Sequence, residues 1–161
     1  MPTDQELLYA YLAGFIDADG SITIVTAKSK KKIKSGTLDC IQYCIKLSGH
    51  NCKIEPIQLL QKTFGGGKLR NTRRGKVKLH PNWRACYEWS ITKNQAANAL
   101  RRLLPYLIIK KEQALLCLQM DDLKKAHNAS ERRWNKKLNQ EINDKCEELK
   151  KKINLLNKRG Q

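Results

Sequence analysis

The densest chemistry in this chain lies at Asp17-Ala18-Asp19-Gly20, where two carboxylates close an apolar segment. Thr3 and Glu6 have the spacing of a capping box, so the segment is expected to be a helix from about Asp4, and Gly20 ends it. Both acids then sit at a helix C-terminus, where the backbone dipole is already negative. That placement costs stability unless a cation lies nearby. Hard oxygen donors with no His or Cys among them suit Mg2+, with Mn2+ as a substitute. Asp17 suits a second role equally well, since a short carboxylate also satisfies local backbone N–H groups in a turn.

The helix that carries these acids has two apolar stripes. Leu7, Tyr11, Gly14 and Ala18 recur at intervals of four, three and four, and Leu8, Leu12 and Phe15 run beside them. Two stripes on one short helix predict burial on two sides, one against its own core and one against something else. Gly14 and Ala18 are small enough to let another backbone approach closely.

Beyond Gly20, Ser-Ile-Thr-Ile-Val-Thr (21–26) reads as a strand, and Lys28 to Lys34 as a lysine-rich loop leading to Gly36. In the second strand Ile41, Tyr43, Ile45 and Leu47 alternate with Cys40, Gln42, Cys44 and Lys46. Pro56 suits the first turn of a helix with Ile57, Leu59, Leu60 and Phe64, which stops at Gly65-Gly66-Gly67. Lys68–Arg70 and Lys76–Leu79 flank a turn, and a strand over Arg84–Thr92 sets Tyr87, Trp89 and Ile91 against Cys86, Glu88 and Ser90. Asn94 is the expected cap of a helix ending near Leu104. Another helix follows from about Lys110, and a long amphipathic one from Ser130 carries Trp134, Leu138, Ile142, Cys146, Leu149, Ile153 and Leu156. The order αββαββα with further C-terminal helices predicts a mixed α/β (α+β) domain with a four-stranded antiparallel sheet. One face is expected to lie under helices and the other to be open. The open face is expected to hold Thr23, Lys28, Gln42, Lys46, Lys68, Arg70, Arg84 and Glu88.

Charge says what that face would meet. The 161 residues carry a formal +17, but residues 1–27 hold no Lys or Arg, whereas residues 28–111 hold 20 basic residues and three acidic ones. A solubilising surface would mix its signs more evenly, so the concentrated excess points to nucleic acid. Antiparallel strands carrying donors and acceptors fit the major groove of duplex DNA, where each base pair has its own pattern. The six cysteines include no CxxC pair and form no four-ligand zinc set. They read as reduced thiols of an intracellular compartment, with no signal or transit peptide expected at the acidic N-terminus. No apolar run approaches the ~20 residues that span a bilayer, so no membrane partner is expected.

Residues 11–20, Tyr-Leu-Ala-Gly-Phe-Ile-Asp-Ala-Asp-Gly, closely resemble the signature of the LAGLIDADG homing endonucleases, with Phe15 in place of the fifth-position Leu. The element order resembles that family's domain over roughly residues 5–125, which gives a DNA-binding and endonuclease domain over 1–125 and a helical extension of it over 126–161. The resemblance implies a saddle-shaped sheet on double-stranded DNA, and metal-dependent hydrolysis of both strands of a long, pseudo-palindromic site. Asp19 would bind the metal, with the Ala18 carbonyl as a further ligand. One motif implies a homodimer through Leu7, Tyr11, Gly14 and Ala18, which brings two copies of Asp19 together. Lys110, after Pro105-Tyr106-Leu107, matches the family's catalytic lysine, and Lys53 its second basic residue. The family's glutamine at the end of the second strand is missing, because Leu47-Ser48-Gly49-His50 occupies its place; His50 is a candidate base there. A gene inside an intron of an organelle genome or a microbe is the expected setting. The alternative is a relative that has lost cleavage and binds intron RNA or regulates DNA, and the intact Asp17-Ala18-Asp19 with Lys110 favours the enzyme.

Overall fold

Alternation along the strands decides which way the sheet faces. The computed structural model of the protein describes residues 1–33, 36–71, 85–129 and 136–158. Strands β1 (Gly20–Ile33), β2 (Gly36–Asn51), β3 (Lys68–Asn71) and β4 (Tyr87–Thr92) form one antiparallel sheet in the order β1-β2-β4-β3. Ile22 and Ile24, Ile45 and Leu47, Trp89 and Ile91 share one face and are almost wholly buried. Each such side chain withdrawn from water contributes roughly 1.5–3 kcal/mol. Five helices cover that face: α1 (Asp4–Asp19), α2 (Glu55–Phe64), α3 (Lys93–Leu103), α4 (Lys111–Ala129) and α5 (Lys136–Lys158). The expected mixed α/β order is therefore the observed one.

Local signals account for the element ends. Thr3 and Glu6 do form the capping box: the Thr3 hydroxyl accepts the Glu6 N–H, and the Glu6 carboxylate accepts the Thr3 N–H at 2.7 Å. Pro56 lies in the first turn of α2. After that helix Gly65, Gly66 and Gly67 all have left-handed φ values, which glycine adopts without steric cost. Gly67 also sits so close over the Trp89 indole that a Cβ would meet Nε1 at 2.4 Å.

Three expectations change. The lysine-rich stretch is not a loop: β1 and β2 stay paired from Gly20↔Gly49 to Ile33↔Gly36. Among the described residues, β4 pairs with β2 only over Lys46–Asn51. Asn94 does not cap α3. Strand β4 runs straight into the helix, Thr92 is the capping residue, and Lys93 takes up the sharp turn with φ +57°. The strand expected from Arg84 is described from Tyr87 onward; Arg84, the Lys76–Leu79 stretch and Trp134 lie outside the described residues.

The C-terminal helix belongs to the same core. Cys146, Leu149 and Ile153 of α5 are buried in the cluster that contains the sheet face. Tyr43 of β2 donates its hydroxyl to Glu147 at 2.9 Å, and burial together with that carboxylate pushes the phenol up to about 12. No helix among the described residues is long and apolar enough to cross a membrane.

Candidate active site and nucleic-acid face

The end of α1 and the start of α4 cap each other. Asp17 is buried, and its carboxylate accepts the N–H groups of Ile108 (2.8 Å), Ile109 (3.1 Å) and Lys110 (2.8 Å). These are donors of the turn that opens α4, where a negative charge is favourable. In return Lys110 reaches back, its ammonium donating to the carbonyls of Ile16 (2.9 Å) and Asp17. The cation required at this acidic helix end is thus supplied by the chain itself. Burial lowers the Lys110 pKa from the ordinary lysine value, against the upward pull of the Asp17 and Asp19 charges. Of the two roles open to Asp17, the geometry shows the N–H-satisfying one, with partners far away in sequence rather than in the local turn.

Asp19 is in a different situation. It is exposed at the tip of α1, and its Oδ2 accepts the side-chain amide of Asn51 at 3.0 Å. Asn51 is held in turn by the Lys53 backbone N–H, which donates to its Oδ1 at 2.8 Å. Sequence reasoning missed Asn51, and only the β1–β2 register, which brings the end of β2 beside the start of β1, could have pointed to it. Gly49 pairs with Gly20, and a Cβ there would lie 2.5 Å from Leu60 and 3.0 Å from Phe15. Lys53 lies exposed just beyond β2, and His50 lies 3.7 Å from Glu88, an ion pair when the imidazole is protonated.

This corner suits a hard divalent cation as far as one chain can take it. Asp19 offers an exposed carboxylate, and Lys110 takes the carbonyls of Ile16 and Asp17. Among the described residues no group of three or more His, Cys, Asp or Glu side chains forms a metal site.

The polar face of the sheet brings together most of the residues assigned to it. Thr23 lies opposite Lys46, Lys68 opposite Ser90, and Arg70 opposite Glu88. Glu88 accepts from Lys46 at 3.2 Å and lies 3.7 Å from His50, so this acid is an internal counter-ion on the basic face. Gln42 is exposed on the same face. Lys28 is not: it pairs with Ile41, in step with Ile22 and Ile24, and lies on the opposite face from Gln42 and Lys46. Strand period two requires this, since Lys28 is separated from Thr23 by an odd number of residues. On the outer side of α1, Leu7 and Tyr11 are more than half exposed, Ala18 is exposed, and a Cβ at Gly14 would meet nothing within 4 Å. Ile108 and Ile109 are also strongly exposed.

Comparison with known proteins places this arrangement. Among solved structures the fold is similar to the homing endonuclease I-CvuI in complex with its target in the presence of Ca. The TM-score is 0.66 at 25% identity, over 94% of this chain and 83% of that one. An archaeal intron-encoded homing endonuclease, I-Vdi141I, complexed with DNA, shares the fold at TM-score 0.55 and 17% identity, over 96% and 99% of the two chains. The group I intron-encoded homing endonuclease I-CeuI, complexed with DNA, does so at 0.52 and 19%, over 86% and 65%. A comparison with curated protein sequences finds no match. The family model described as LAGLIDADG endonuclease matches residues 12–110, a span that begins inside α1 and takes in Asp19, Asn51 and Lys110, so the chain belongs to the LAGLIDADG endonuclease family.

Proposed function

We propose that this chain is a homing endonuclease that works as a homodimer. It hydrolyses both strands of a long, pseudo-palindromic duplex DNA site with divalent metal ions, Mg2+ or in its place Mn2+. The observation that carries the reading is the division of labour in the motif: Asp17 is consumed inside the fold, whereas Asp19 is exposed, with Asn51 on one oxygen, at the tip of a helix whose outer stripe is uncovered. I-CvuI, which shares the fold over most of its length, was crystallised with DNA in the presence of Ca or Mg, which supports the same pairing of partners here.

In this reading Leu7, Tyr11, Gly14 and Ala18, continued by exposed Ile108 and Ile109, meet the same surface of a second copy. A two-fold axis through that contact sets the two Asp19 carboxylates side by side, and a symmetric protein reads a symmetric site. Asp19 and the Ala18 carbonyl would hold the cation, which when bound would supply an activated water and a sink for the leaving oxygen's charge. The chain's own groups do the rest. Lys110, fixed on the carbonyls of Ile16 and Asp17, places positive charge beside the phosphate that gains charge in the transition state. Lys53 adds a second, exposed charge after β2. The polar sheet face, with Thr23, Gln42, Lys46, Lys68, Arg70 and Glu88, reads base edges, and Arg84 is a further residue proposed to bind the DNA.

Selection of cleaved products from a randomised duplex pool with Mg2+ tests this directly. A single pseudo-palindromic site cut on both strands is expected, with activity abolished by EDTA and by Asp19→Asn. Wild-type cleavage by Asp19→Asn, or cleavage in EDTA, would overturn the metal assignment.

A further inference from the structure

Asn51 is tied at both ends of its amide. The carbonyl side is fixed by the Lys53 N–H in an Asx-type turn, at 2.8 Å, so the NH2 side faces Asp19 Oδ2 at 3.0 Å. A backbone donor therefore sets the amide's orientation, because reversing it would turn NH2 towards N–H and oxygen towards carboxylate. We infer that Asn51 is a positioning residue for the metal-binding carboxylate: it holds Oδ2 of Asp19 and thereby makes Oδ1 the oxygen that faces the cation.

Three features of the site carry this. Asp19 stands exposed at a helix end where no packing restricts its χ angles, so an unsupported carboxylate would lose rotational freedom on binding a metal. Its donor is neutral. An amide steers the carboxylate without cancelling the charge that attracts the cation, whereas a lysine there would compete with it. Finally, Asn51 is the last residue of β2 and is anchored by the sheet, opposite Tyr87 of β4, so the hydrogen bond starts from a rigid element. Supporting hydrogen bonds of this kind typically change metal affinity or activity by about 10–100-fold when removed.

The inference rests on the reading of Asp19 as a metal ligand, and the test keeps the two apart. Asn51→Ser is the informative variant, since its hydroxyl still takes the Lys53 N–H as an ST-turn but is one bond too short to reach Asp19. The readout is the Ca2+ concentration at half-maximal tightening of binding to the selected duplex, which requires no cleavage. Asn51→Ser is expected to raise that midpoint roughly 10-fold, to leave affinity in EDTA unchanged, and to lower kcat for Mg2+ cleavage with KM retained. Combined with Asp19→Asn it should have no further effect, because a residue acting only through Asp19 has nothing left to position. A midpoint equal to that of the parent in Asn51→Ser, or in Asn51→Ala should the serine variant fold poorly, overturns the inference while leaving the metal reading intact. An Asn51 effect that persists undiminished beside Asp19→Asn also overturns it. A parental midpoint in Asp19→Asn alone overturns both.

Discussion

Replacing Asp17 with asparagine would keep the shape of the side chain and turn one acceptor oxygen into an NH2 group facing a backbone N–H. Three N–H groups converge on that carboxylate, and it is buried. Asp17→Asn is therefore expected to lose about 2 kcal/mol of stability in denaturant unfolding. Asp19→Asn, at an exposed position, should stay within about 0.5 kcal/mol of the parent while removing cleavage. Equal destabilisation by the two would contradict the separation seen at the helix end. The sequence pointed to the pair and to the need for a cation beside it. It could not say that the cation is Lys110, or that Asp17 serves the start of α4, because those partners lie 91 to 94 residues away. Asn51 was invisible for the same reason. Its importance comes from a strand register, and no local pattern announces it.

Among the elements, α3 and α4 are joined by an ion cluster that brings a pH dependence. Burial raises the pKa of Asp121, but hydrogen bonds from Lys125 and Arg101 outweigh it and hold the carboxyl below its ordinary 3.8. A depressed folded-state pKa means that the stabilisation is fully present above the unfolded value and is lost as pH falls through the folded one. Arg101 and Lys125 are both partly open to solvent, so the contribution is on the order of 1 kcal/mol. Melting temperatures of the parent and of Asp121→Asn should therefore differ at neutral pH and converge as the pH drops below about 4. Elements backed by a core were legible: the capping box of α1, Pro56 at the start of α2, and the alternation of Ile45 and Leu47. The lysine-rich arm of β1 was not: it reads as a loop because lysine has little strand preference. Lys28, read as the start of that loop, had no strand alternation to place it, and the register sets it on the face of Ile22 and Ile24.

At the scale of the molecule, one chain presents an exposed motif carboxylate at Asp19, an uncovered outer stripe on α1 and a formal +17. Gly14 offers a clean probe of what covers the stripe. A Cβ added there meets nothing within 4 Å in the single chain, and leucine is the better helix former, so Gly14→Leu should not lower the melting temperature of a protomer. It should convert dimer to monomer in sedimentation and abolish double-strand cleavage. A dimer that survives the substitution would put the contact elsewhere.

The β1–β2 hairpin has a consequence for the length of any DNA site it follows. A strand advances about 3.3 Å per residue and a duplex about 3.4 Å per base pair, so the 14 residues of β1 keep pace with roughly a dozen base pairs. Lengthening both strands by one residue would turn every side chain beyond the insertion to the other side of the ribbon, whereas adding two would restore each to its own side. The arm is a ruler graduated nearly in base pairs, and it can be extended only in even steps.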